Sequence, residues 1–167
     1  MSETGSRTGR RVVVSAPAKL NLHLEVLRRR SDGYHEIETI LQAVDVRDRV
    51  EVSLVDARRG GAPDIELGVR GAAELPEDRD NLAWQAVELF CRHLGVSGRL
   101  QIVIEKRIPT GAGLGGGSSD AMAVLAACNR LFASDLGDDD LEALGAEIGS
   151  DVPFFARGGT QLARGRG

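Results

Sequence analysis

The 167-residue sequence predicts an α+β fold in which a mixed or antiparallel sheet is covered by helices. Three observations carry this. Apolar residues alternate with polar ones through most of the first seventy residues, which is the period of a strand. In the second half they recur at helical spacing. Between the two regimes, five glycines fall in the seven positions 111–117, straight after a strand-like run and straight before a helix-like one.

In chain order, Met1 to Arg11 is polar with no apolar centre, which excludes a secretory signal and reads as a disordered tail. Val12 to Ser15 is a short strand, interrupted at Ala16-Pro17-Ala18. From Lys19 the alternation is strict, with Leu20, Leu22, Leu24 and Val26 on one face and Lys19, Asn21, His23 and Glu25 on the other. Arg28 to Gly33 is a polar hairpin turn, and Glu36 to Val44 returns as a strand. Val50, Val52 and Leu54 form another, and Ile65, Leu67 and Val69 a third, separated by the glycine- and arginine-rich loop 57–63. Asp80 or Asn81 caps a helix carrying Leu82, Ala86, Leu89 and Phe90, which Gly95 stops. Leu100, Ile102 and Ile104 are a strand leading to Pro109. Ser118 or Ser119 opens a helix through Phe132. Asp138 to Asp140 opens one more, with Asp139 and Glu142 at capping-box spacing, ending near Gly149. Gly159 to Ala163 is a last strand.

The composition is that of a globular chain, 42% hydrophobic and 28% charged. A net charge of −4 argues against a nucleic-acid partner, whose footprint is basic. No apolar run approaches the ~20 residues of a membrane span, so no membrane partner is expected. Cys91 and Cys128 lie far apart among apolar neighbours and read as buried free thiols, which fits a reducing cytoplasm. His23, His35 and His93 show no metal-ligand spacing.

Chemistry concentrates in the glycine stretch. A run so poor in side chains lets backbone approach a ligand, and successive N–H groups at a helix N-terminus form an anion site, so a phosphate cradle is expected. The stretch is not a Walker loop, since no lysine precedes the serine pair. Gly111 to Gly116 matches G-x-G-x-x-G formally, but Asp135, the acid near the required distance, lies between two helices. Ser118 and Ser119 can donate to phosphate oxygens. Asp120 is either a helix cap or a weak candidate for reaching Mg2+. Lys19 shares a strand face with Asn21 and is either a surface lysine or a group that neutralises charge on a transferring phosphoryl. Asp151, ahead of Pro153 and two phenylalanines, is a structural cap or a functional carboxylate. Tyr34-His35 suits a flat heterocycle, although adjacent strand residues point to opposite faces.

These segments together resemble the GHMP kinase superfamily, whose loop P-x-G-x-G-L-G-S/G-S-S is matched from Pro109 to Ser119. Ala16 to Leu22, Asp32 to His35, Asp80 to Leu82, Lys106 to Pro109, Gly115 to Ser119 and Gly149 to Pro153 follow in that family's order. The Asp-Gly-Tyr-His element and the triple glycine resemble the branch acting on an alcohol joined to cytidine diphosphate, on the non-mevalonate route to isoprenoids. Homoserine, mevalonate and galactose kinase types, and a non-catalytic ATP- or RNA-binding domain of ribosomal-protein-S5 type, are the alternatives.

The resemblance implies a GHMP N-terminal domain over residues 12–167, similar to the second domain of ribosomal protein S5. It implies ATP and Mg2+ as cofactors, with Lys19 and Asp151 as the catalytic pair. Pro109, Thr110, Gly111, Ala112, Gly113, Leu114, Gly115, Gly116, Gly117, Ser118 and Ser119 would wrap the phosphates, with Asn81 and Lys106 on the nucleotide side. Asn21, Tyr34 and His35 would hold the small-molecule substrate. The family's C-terminal domain has no counterpart here, and the ending Arg164-Gly165-Arg166-Gly167 reads as a cut.

Overall fold

The computed structural model describes residues 9–29, 31, 33, 35–71 and 75–166. Five strands form one sheet: β1 (Arg10–Arg29), β2 (His35–Arg59), β3 (Asp64–Arg70), β4 (Val96–Glu105) and β5 (Thr160–Arg166). Four helices accompany it: α1 (Leu82–Leu94), α2 (Gly116–Phe132), α3 (Asp138–Ile148) and α4 (Phe154–Arg157). The sheet is mixed, as its sequence predicts. Its order is β1-β2-β4-β3, with β3 parallel to β4 and every other pairing antiparallel; β5 adds to the first part of β2.

The first half is less segmented than the alternation predicts. Val12–Ser15 and Lys19–Val26 belong to the single strand β1, which passes through Pro17 without a break. Two features permit this: β1 pairs only with β2, so an edge carries the proline, and a bulge follows it at Pro17/Ala18. β1 also begins at Arg10, inside the segment expected to be a tail; residues 1–8 lie outside the described ones. Glu36–Val44 and Val50–Leu54 likewise merge into the 25-residue β2, because the charged run Asp45 to Arg49 remains extended against Pro17 and Ala16.

A second bulge, at Leu22, overturns the expected facing of the leucines. Lys19 pairs with Ala43 and Asn21 with Leu41, but Leu24 then pairs with Thr39 and Val26 with Ile37. Directly paired residues share a face, so Leu24 and Val26 stand on the face of Lys19 and Asn21. None of these leucines enters the core: Leu20, Leu22, Leu24 and Val26 are all exposed.

The core forms where α1 and α2 cover the β2-β4-β3 part of the sheet. Val50 and Val52, Leu100, Ile102 and Ile104, and Ile65 and Leu67 meet Ala86, Val87 and Phe90 of α1 and Val124, Leu125 and Leu131 of α2. Asn81 caps α1, its side-chain oxygen accepting from Ala83 N–H at 2.9 Å, and Gly95 ends it at φ 64°. In α3 the Asp140 carboxylate accepts from Gly137 N–H at 3.0 Å, two residues before the expected Asp139/Glu142 pair. Asp139 and Glu142 instead both pair with Arg157 of α4.

Candidate active site

The glycine loop runs from the end of β4 into α2, and its conformation follows from its composition. Gly111, Gly113 and Gly115 hold φ values of 72°, 72° and 69°, a left-handed region that side chains disfavour. α2 starts at Gly116 rather than near Ser118, so Gly116 and Gly117 form its first turn. No side chain caps that turn and no acidic residue occupies it, which leaves its N–H groups and the positive end of the helix dipole open to an anion. The loop and α2's start line a cavity of about 410 Å³, closed on the other side by Leu75, Pro76, Asp80, Asn81 and Leu82.

Beneath the loop lies a buried ion network. Lys106, just past β4, extends its Nζ to Asp48 Oδ2 of β2 at 2.5 Å and to Asp120 Oδ2 of α2 at 2.7 Å. Asp48 uses its other oxygen to accept the N–H groups of Arg107 and Ile108, which fixes the entry to the loop. Burial works against the charge of Lys106, but the two carboxylates outweigh it and hold its pKa above the ordinary lysine value. Burial pushes Asp120 up to about 7, against the opposing pull of Lys106. Gly116 packs on this network: a Cβ there would fall 3.1 Å from Lys106 Nζ.

The second face of the loop meets β1. Lys19 N–H donates to Leu114 C=O at 2.9 Å, and a Cβ on Gly115 would lie 3.0 Å from Lys19 Cγ and 2.9 Å from the Phe155 ring. The Lys19 side chain, buried apart from 8% of its surface, directs Nζ to Asn21 Oδ1 at 2.6 Å and Asp151 Oδ2 at 3.3 Å. Asp151 sits in the turn before α4, which Val152 N–H closes by donating to Gly149 C=O at 3.2 Å, and Gln161 of β5 holds α4 itself by donating to the Phe154 and Gly158 carbonyls. Its carboxylate is 43% exposed, so it faces open space beside the glycine loop.

The structure therefore brings Lys19, Asn21, Asp151 and the loop together. Asn81 and Lys106 also reach the cavity wall, Asn81 doubling as the α1 cap. Asp120, the candidate for Mg2+, has one oxygen on Lys106; its other oxygen and the Ser119 hydroxyl are buried without a hydrogen-bond partner. His35 is exposed at the far end of the hairpin, opposite Arg29 and up to about 26 Å of strand from the Ala43 row. Tyr34 lies outside the described residues. Cys91 and Cys128 are free and buried, and burial pushes the Cys91 thiol up to about 11 and the Cys128 thiol higher still, which suits packing rather than nucleophilic chemistry. Sequence reasoning missed Asp48 and Thr39. Thr39 looks like any strand threonine, and the partner of Asp48 is 58 positions away.

Comparison with known proteins gives this geometry its class. Residues 81–159 match the GHMP kinases N terminal domain family. This chain carries a GHMP kinase N-terminal domain. It is 47% identical over 156 residues to 4-diphosphocytidyl-2-C-methyl-D-erythritol kinase of Mycobacterium avium, covering 93% of this chain and 48% of that protein. It is 49% identical over 154 residues to the same-named kinase of Shouchella clausii, covering 92% and 50%. Among solved structures it superposes on a 4-(cytidine 5'-diphospho)-2C-methyl-D-erythritol kinase with TM-score 0.70 and 39% identity, covering 92% of this chain and 52% of that one. Homoserine kinase of Cytophaga hutchinsonii shares the fold at TM-score 0.62 and 24% identity. The chain spans about half the length of the curated relatives it matches.

Proposed function

We propose that this domain supplies the ATP site and the catalytic pair of a kinase that phosphorylates the 2-hydroxyl of 4-diphosphocytidyl-2-C-methyl-D-erythritol, in isoprenoid precursor synthesis. The observation that carries it is the Lys19–Asp151 contact at 3.3 Å, set against a glycine loop that ends on an uncapped helix N-terminus. The substrate is taken from the names of relatives at 47–49% identity.

In this mechanism residues 109–119 wrap the triphosphate, the backbone N–H groups of residues 110–118 donating to it, with the base lying along the Asn81 side of the cavity. Asp151 accepts the proton of the attacking hydroxyl. The hydroxyl oxygen then forms its bond to the γ-phosphorus as the bond to the β-γ bridging oxygen breaks, and ADP leaves. Lys19, held by Asn21, keeps Asp151 oriented and offsets the negative charge that builds on the transferring group. Asp120, which lines the loop cavity and has an unpartnered oxygen, would be the residue to reach a Mg2+ ion carried mostly by the nucleotide's own phosphates, where the ion would neutralise their charge. Asn21, Tyr34 and His35 hold the acceptor, the last two at its cytosine end. Two buried free thiols agree with a cytoplasmic setting.

The test is ADP release from ATP and Mg2+ by the protein expressed from its complete reading frame, against a panel of alcohols. Turnover confined to the cytidylyl alcohol is expected. Turnover of homoserine or mevalonate in its place would overturn the substrate, and no turnover of any alcohol would return the domain to a nucleotide-binding role.

A further inference from the structure

The Lys19–Asp151 pair does not stand alone, and its orientation originates in a backbone carbonyl on the outer stretch of β1. Beyond Asn21, the bulge at Leu22 shifts the β1–β2 register and brings the His23 carbonyl within reach of a β2 side chain. Thr39 of β2, 3% exposed, donates its hydroxyl proton to that carbonyl at 2.6 Å. A carbonyl can only accept, so the hydroxyl proton is committed and Thr39 Oγ1 can offer its neighbour only lone pairs. The neighbour is the Asn21 amide, whose Nδ2 donates to Thr39 Oγ1 at 2.8 Å. With the amino group turned to Thr39, the amide oxygen must face the other way, and there it accepts from Lys19 Nζ at 2.6 Å. Each link sets the polarity of the next. An asparagine free to rotate would present either end to the lysine, and its NH2 end would repel an ammonium.

We propose that Thr39 is a positioning residue for phosphoryl transfer, locking the Asn21 amide so that its oxygen holds the Lys19 ammonium against Asp151. This rests on the kinase reading above. Thr39 touches no reacting atom; it acts only through Asn21. Valine has the same shape without the hydroxyl, so Thr39→Val would free the amide, and Thr39→Ser would retain the lock.

The experiment measures kcat and KM for ATP in the wild type, Thr39→Val, Thr39→Ser, Asn21→Ala and the Asn21→Ala/Thr39→Val double variant, each expressed from the complete reading frame. Thermal midpoints are measured alongside, as is solvent exchange of the Lys19 ammonium protons by NMR. The expected result is a roughly ten- to hundredfold fall in kcat for Thr39→Val with KM for ATP within about twofold, and recovery in Thr39→Ser. Lys19 protons exchange faster in the valine variant, and the valine adds nothing once Asn21 is alanine. Unchanged kcat in Thr39→Val, an equal loss in Thr39→Ser, or a full additional loss in the double variant would each overturn the lock. If Thr39→Val unfolds, Thr39→Ser and Asn21→Ala decide: Lys19 exchange at the wild-type rate in both would overturn it. If the wild type phosphorylates no alcohol, the kinase reading falls, while the exchange rates still decide the lock.

Discussion

Lys19 Nζ lies 3.3 Å from Asp151 Oδ2, although one residue comes from strand β1 and the other from the turn before α4. The glycine loop brings them together. Leu114 holds the backbone of Lys19, and Gly115 packs flat against its side chain and the Phe155 ring. The glycine loop and the Lys19–Asp151 pair are thus one packed unit, and changes to the loop reach the lysine directly.

That coupling separates two glycines with nearly equal backbone angles. Gly111→Ala and Gly115→Ala both place a side chain at left-handed φ, costing roughly 1–2 kcal/mol. Gly111 faces open space, whereas a Cβ on Gly115 meets Lys19 Cγ and Phe155. Gly115→Ala should lower kcat at least tenfold more than Gly111→Ala. Steady-state kinetics on both variants check this; equal losses would mean that the contact with Lys19 is immaterial.

The buried network predicts an asymmetry in stability. Lys106→Met removes the only cation facing Asp48 and Asp120 among the described contacts, leaving two carboxylates against each other. A loss of about 3–5 kcal/mol is expected by urea denaturation. Asp48→Asn keeps the shape and an acceptor for the Arg107 and Ile108 N–H groups; its NH2 then faces Lys106, but Asp120 still pairs that ammonium, so its loss should be smaller. The reverse order would contradict the roles given to these groups.

Asp120 makes stability depend on pH in a stated direction. In the folded chain it keeps its proton up to about pH 7, while an unfolded aspartate releases it near about 4. Between those values the folded state binds the extra proton, so stability falls as pH rises and levels off above about 7. Asp120→Asn lacks this component, so its thermal midpoint should fall less between pH 5 and pH 8 than the wild type's. Parallel profiles would mean that Asp120 titrates normally.

Much of this was legible in the residues. Alternation found β3 and β4, and Asn81 and Gly95 marked both ends of α1. The glycine run pointed to backbone conformations closed to other residues, and Gly111, Gly113 and Gly115 hold positive φ just before α2. What stayed hidden depends on tertiary partners. The run Asp45 to Arg49 breaks the alternation, yet β2 continues through it because Asp48 turns inward to Lys106. The facing of Leu24 and Val26 depends on one extra residue at Leu22, which no periodicity reveals. Thr39 gains its meaning only from the amide across the strand pair.

The central claim is that Asp151, oriented by Lys19, takes the proton of the acceptor hydroxyl. Its most direct test is the single-turnover rate of phosphoryl transfer by Asp151→Ala, with ATP affinity and thermal midpoint measured on the same sample. The account predicts a fall of about a hundredfold to ten-thousandfold in transfer. ATP affinity should stay within about threefold, and the fold should be intact, since the carboxylate is 43% exposed and outside the core. Transfer at the wild-type rate, or a protein that no longer folds, would contradict it.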